Sequence, residues 1–412
     1  MDGWTGLVLA GLLLAFGVRA AADVLELRAL GGALPAPLRA VYDADRHRRA
    51  QQYAAARLRF GIVVAAARLA VLLACWLGGG FGLVDRWSGG LGVGPVSTGL
   101  AFLGALGLGD ALLALPPRWY ATFVLEERFG FNRTTPRVFW GDAVKGLLLG
   151  VLLGGPLLAV VLWLFAAQGG AAWLWCWAAA AAWSVGVQYV APTWILPLFN
   201  RFTPLPEGPL HDAIVGYTRR LDFPLAGVSV IDGSRRSTKA NAFFTGFGAR
   251  KRIAVFDTLV ERHAPEEVLG VVAHEVGHYR LRHVPMVLAL AIAQLGATFF
   301  LLSLVLRAGG LFAAFGLERS VHAGLVVFAI VATPAGLPLA VVLNALSRRH
   351  ERQADRFAAE TTGEGRALAR ALARLAADTL ANPTPHPLYV ALHYSHPPVV
   401  ERLRALAPVS PA

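Results

Sequence analysis

The sequence predicts a mainly α-helical, polytopic membrane protein carrying one small α+β segment, and three observations predict it. Of 412 residues, 56% are hydrophobic and 16% charged, with mean hydropathy +0.54, which is too apolar for a soluble chain of this size. Apolar runs of membrane-spanning length recur along the chain, bounded by charged or turn residues. One polar stretch, from Asn200 to His283, interrupts them.

A hydrocarbon core of about 30 Å needs about 20 apolar helical residues. Seven runs qualify: residues 4–22, 60–84, 93–115, 146–167, 171–199, 285–306 and 321–346. Only Asp2 precedes the first run as a charge, and Arg19 stands where a signal-peptide cleavage site would fall, so it reads as a retained span. Pro192 and Pro197 predict a kink in the fifth run. Arg68 and Asp110 fall inside apolar runs, where ionisable groups pair or face a wet interior.

The formal charge of +12 does not point to nucleic acid. The arginines lie in short clusters between spans, as in the loop with Arg39, Arg46, Arg48, Arg49 and Arg57, where a positive-inside bias puts them. That bias sets the N-terminus outside and the 200–284 segment in the cytoplasm. The two cysteines, Cys75 and Cys176, sit in apolar runs and suggest neither a disulfide framework nor a cysteine metal site.

Four regions follow: 1–199 with spans one to five, 200–284 as a soluble catalytic insert, 285–346 with spans six and seven, and 347–412 as a cytosolic C-terminal region ending in a frayed tail. Within the insert, an amphipathic helix over 210–221 precedes β-like runs at 227–231, 241–245 and 252–256.

The chemistry concentrates in His274-Glu275-Val276-Gly277-His278. Pro265, Glu266 and Glu267 mark a helix start, and two histidines four apart on a helix offer both imidazoles to one ion. Glu275 stands beside the metal rather than on it, as a general base for water. A hydrolytic zinc needs a third protein ligand and one open position. Glu351 is the candidate, with Asp355 one turn on to accept the second N–H of a ligand histidine. On spacing alone, an ordinary juxtamembrane charge run explains this stretch equally well. His350 is the rival ligand, about 100° around the same helix. Asn241 opens a short strand whose edge can accept an extended peptide, and a turn-forming asparagine is the equal alternative.

Several longer strings resemble the type I CAAX prenyl endopeptidases. They are residues 274–278; Glu351-Arg352-Gln353-Ala354-Asp355; His393-Tyr394-Ser395-His396-Pro397-Pro398 with Glu401-Arg402-Leu403; residues 125–132; residues 197–208; and residues 241–244 with 252–259. The likeness runs from about Tyr42 to Leu406. It implies a seven-helix barrel around a large chamber with the zinc site in a cap, and cleavage of prenylated CAAX peptides. It implies that His274, His278 and Glu351 bind one Zn2+, that Glu275 is the base, that Asn241 holds the peptide backbone, and that His396 and Arg402 form a polar pair near the metal, with His396 stabilising the oxyanion.

Arg352 departs from the family, which usually has an aromatic residue there. Lys145, Lys239 and Lys251 are the only lysines, and this arginine usage, with abundant alanine and glycine, leads us to expect a bacterial source and a bacterial inner-membrane location. Bacteria generally lack protein prenylation, so that expectation counts against a lipidated substrate. Two alternatives stay open: a quality-control protease for misfolded or stalled membrane proteins, and a chamber that binds lipid or peptide around a structural zinc.

Overall fold

The computed structural model describes residues 2–245 and 251–407; the tail from 408, expected to be frayed, lies outside the described residues. Among the described residues, six helices are long and apolar enough to cross a membrane: Gly3–Ala29, Ala44–Leu77, Pro95–Glu126, Pro136–Ala167, Gly169–Phe199 and His283–Val305. Their outward side chains, such as Leu7, Leu14, Val63, Leu148, Val151 and Trp163, are apolar and exposed, as a lipid solvent requires. The protein is a multi-pass integral membrane protein.

Two predicted spans differ from their expected form. The second ends at Leu77, because Gly79 takes a left-handed φ of 73° and a separate helix, Gly80–Gly89, begins. The seventh is a pair, Val321–Val331 and Gly336–Thr362, bent by 67°. Pro334 lies in the break; its ring removes an N–H and disfavours helix before it. The first helix packs onto this bend at Gly11, where a Cβ would sit 3.0 Å from Pro334 Cγ. The fourth and fifth spans carry a π-helical turn beside a proline, Gly150–Gly154 before Pro156 and Ala191–Ile195 around Pro192. Arg68 and Asp110 pair with one another.

The polar stretch folds as a four-stranded sheet: β1 Phe202–Pro204, β2 Leu225–Ile231, β3 Ala242–Thr245 and β4 Lys251–Phe256. The order is β1-β2-β4-β3, with β2 and β4 parallel and the other pairs antiparallel, so β3 is an edge strand. Helix Pro209–Arg220 and helix Pro265–Arg280 pack beside it. Ile214, Tyr217, Ile253, Val255, Val268, Val272 and Val276 form a shared buried core with Ala358 and Leu368 from the C-terminal helices.

Below this cap lies a cavity of about 820 Å³. Leu153, Leu157, Trp183 and Val187 from the fourth and fifth spans and Val287 and Ala291 from the sixth form an apolar wall, while Glu275 and His278 border its polar part.

Helix contact in the cap depends on small residues. A Cβ on Gly270 would lie 3.1 Å from the backbone N and Cα of Leu368, whereas Gly216 has open space. Gly270→Val is therefore expected to destabilise by about 1–3 kcal/mol through overpacking. Gly216→Ala is expected to stabilise by about 0.5–1 kcal/mol through helix propensity. Thermal unfolding of the detergent-solubilised protein reads both signs.

Candidate active site

Helix Pro265–Arg280 begins with proline at its first turn and with Glu266 and Glu267 beside its positive end. Its 3.6-residue period sets His274 and His278 one turn apart on one face. Helix Gly336–Thr362 crosses close to that face. A Cβ on Gly277 would meet Phe357 Cδ1 at 3.1 Å and Ala354 Cα at 3.2 Å, so glycine inside the motif lets the second helix approach. That approach brings Glu351 to the histidines.

His274 Nε2 lies 3.3 Å from Glu351 Oε2, and His278 Nε2 lies 3.2 Å from Glu351 Oε1. The two Nε2 atoms are 3.2 Å apart. One donor atom from each of His274, His278 and Glu351 falls within 4.8 Å of the others, and this is the one such group among the described residues. Glu351 Oε2 is buried without a hydrogen-bond partner. Facing nitrogen lone pairs and an orphaned carboxylate oxygen are costly unless a proton or a cation lies among them. Two imidazoles and a carboxylate are a donor set that suits a zinc-like divalent ion.

Asp355, one turn beyond Glu351, accepts from His274 Nδ1 at 2.8 Å. Arg402, from helix Val399–Leu406, donates to both Asp355 oxygens, Nε to Oδ2 at 2.7 Å and Nη2 to Oδ1 at 2.6 Å. This chain orients the imidazole so that Nε2 faces Glu351. Burial pushes His274 down, but the adjacent Asp355 and Glu351 carboxylates outweigh it and raise the imidazole to about 9. A divalent ion would displace that proton.

Glu275 points to the cavity rather than into the three-donor cluster. Burial raises its carboxyl above the usual range, with His274 and His278 opposing. His396 Nε2 lies 3.4 Å from Glu351 Oε1 with its side chain 60% exposed, and Ser395 Oγ is 2.9 Å from its Nδ1. Asn241 immediately precedes β3; its Oδ1 accepts from Ala242 N at 2.8 Å and its carbonyl accepts from Phe256 N at 2.9 Å. Phe243, on β3, lines the cavity with Glu275.

Of the residues singled out in the sequence, His274, His278, Glu351, Asp355, Arg402 and His396 thus converge, and Glu275 borders the same space. His350 does not reach the cluster; its ring stacks on His283 at 4.1 Å. Sequence reasoning missed His283 and Gln353, which contact His278 and each other. The available signal was a further histidine five residues after His278, just past the helix end.

Two family models match the chain: the CAAX prenyl protease N-terminal region with five membrane helices, over residues 24–201, and peptidase family M48, over residues 204–409. A curated relative from Oryza sativa, a CAAX prenyl protease 1 homolog, is 38% identical over 74% of this chain and 72% of its own length. CAAX prenyl protease 1 of Saccharomyces cerevisiae is 35% identical over 77% and 74%, and the Homo sapiens homolog is 33% identical over 79% and 77%. The crystal structure of S. mikatae Ste24p superposes with a TM-score of 0.91 at 31% identity, covering 98% of this chain and 99% of that one. The fold is the helical membrane barrel of that protein. These relatives are plant, fungal and mammalian, which corrects the expectation of a bacterial source and inner membrane: arginine-for-lysine usage reflects nucleotide composition, which the fold does not constrain.

Asp355→Asn removes the charged acceptor from His274 while keeping its shape. It is expected to weaken divalent-metal binding about 10- to 100-fold, measured by chelator competition.

Proposed function

We propose, on the premise that this chain belongs to peptidase family M48 and is a membrane-embedded metalloprotease, that His274, His278 and Glu351 hold one zinc ion and that Glu275 is the general base of peptide hydrolysis. The observation that carries the proposal is the meeting of three donors from two distant helices within 4.8 Å, with Glu275 facing the adjoining cavity.

A bound zinc supplies Lewis-acid polarisation of the scissile carbonyl and lowers the pKa of water. The chain's own groups do the rest. Glu275, its basicity raised by burial, takes the proton of the attacking water and passes it to the leaving amine. His396, with an exposed ring beside Glu351, donates to the oxygen on which negative charge develops. The β3 edge accepts an extended peptide as an added strand, with Asn241 at its start, so the main chain is held without demanding much sequence. Asp355 and Arg402 keep His274 in its ligand tautomer.

The relatives' names support a prenylated CAAX peptide as substrate, and the apolar cavity wall beside Glu275 offers an isoprenoid chain a place to bury. The clustering of arginines between spans supports a cytoplasmic orientation of the cap.

Glu275→Gln is expected to retain zinc by metal analysis while peptidase activity falls about 10²- to 10⁴-fold. Turnover of a reporter peptide at the parent rate would overturn its role. Glu351→Ala is expected to lose both zinc and activity. For the substrate, prenylated peptides are expected to be cleaved faster than identical unprenylated ones; equal rates would favour a general quality-control protease instead.

A further inference from the structure

His278 has two ring nitrogens, and only Nε2 faces Glu351. The other, Nδ1, lies 3.1 Å from His283 Nδ1, and His283 Nε2 lies 3.1 Å from Gln353 Oε1. The direction of both bonds follows from counting protons. If Nε2 of His278 offers a lone pair to a metal, the neutral ring carries its proton on Nδ1. His283 Nδ1 must then accept, which leaves the His283 proton on Nε2, where the carbonyl oxygen of Gln353 accepts it. Each contact has one donor and one acceptor, with none left over.

The surroundings hold His283 in place. It is 4% exposed, and the ring of His350, 5% exposed, stacks on it at 4.1 Å and 11°. Arg282, at φ 57°, makes the sharp joint after helix Pro265–Arg280, so His283 opens the next helix directly behind His278. Gln353 and His350 flank Glu351 on helix Gly336–Thr362, so the helix that brings the carboxylate also brings the two groups that hold His283.

We propose that His283 is a positioning residue for His278: it holds the Nδ1–H and so presents Nε2 to the metal, and Gln353 fixes the tautomer of His283 in turn. The inference rests on the metal-site reading above. The two ligand histidines are then oriented differently, His274 by a charged carboxylate and His278 by a neutral imidazole backed by an amide.

The test uses the purified full chain and three variants, His283→Leu, His283→Gln and Gln353→Leu, with Zn2+ affinity from chelator competition and the visible absorption of the Co2+ form. His283→Leu is expected to weaken zinc binding about 10- to 100-fold and to shift the Co2+ bands. His283→Gln, which keeps an acceptor oxygen, is expected to recover most of that loss, a rescue that a merely packing role does not predict. If His283→Leu fails to fold, Gln353→Leu carries the test and is expected to weaken binding and shift the Co2+ bands. Parent affinity and parent Co2+ bands in folded His283→Leu or Gln353→Leu would overturn the inference while leaving the metal site intact. A parent chain that binds no divalent metal would overturn both.

Discussion

The site depends on how closely two helices approach one another. The histidine pair lies on one helix and Glu351 on another, and they meet because Gly277 has no side chain where Ala354 and Phe357 press against it. A methyl group at that point would force a shift of a few tenths of an ångström in a well-packed contact. A cluster whose nitrogens and carboxylate oxygens lie 3.2 and 3.3 Å apart does not tolerate a large one. The buried core that joins Val272 and Val276 to Ala358 and Leu368 keeps this approach rigid.

Charge in the cap is arranged under the same constraint. Burying a carboxylate is costly unless its oxygens are satisfied, and removing one partner of a buried pair costs more than the pair contributes. Asp355, 3% exposed, meets that demand through Arg402 on both oxygens and His274 on one. The arginine comes from the last helix, so the C-terminal region is tied to the site electrostatically. It is also tied to the membrane helices: Glu26, from the first span, accepts from Asn382 Nδ2 at 2.7 Å and from His386 N at 2.6 Å. Tyr42 donates to the carbonyls of Ala376 and Ala381.

The cavity brings apolar and polar surface together beneath the cap. Its wall is apolar along the spans and polar where Glu275, His278, His283 and His350 border it. Polar and irregular backbone at membrane depth is tolerated only against such an interior, and the π-helical turns beside Pro156 and Pro192 belong to the spans that form this wall.

Local pattern determined much of this protein. Apolar run length identified spans, and alternation in the 200–284 segment located β2, β3 and β4. The helical period placed His274 beside His278 and Glu351 beside Asp355, because each relation lies within one turn. Span ends were less legible: the left-handed turn at Gly79 and the 67° bend at Pro334 depend on how neighbouring helices pack. The sequence offered Glu351 as the ligand and His350 as its rival, but only tertiary structure decides which face of their helix meets another more than about 70 residues earlier in the chain. For the same reason the contacts of His278 with His283 and of His283 with Gln353 were hidden. They cross a helix joint and a helix interface, where no sequence period applies.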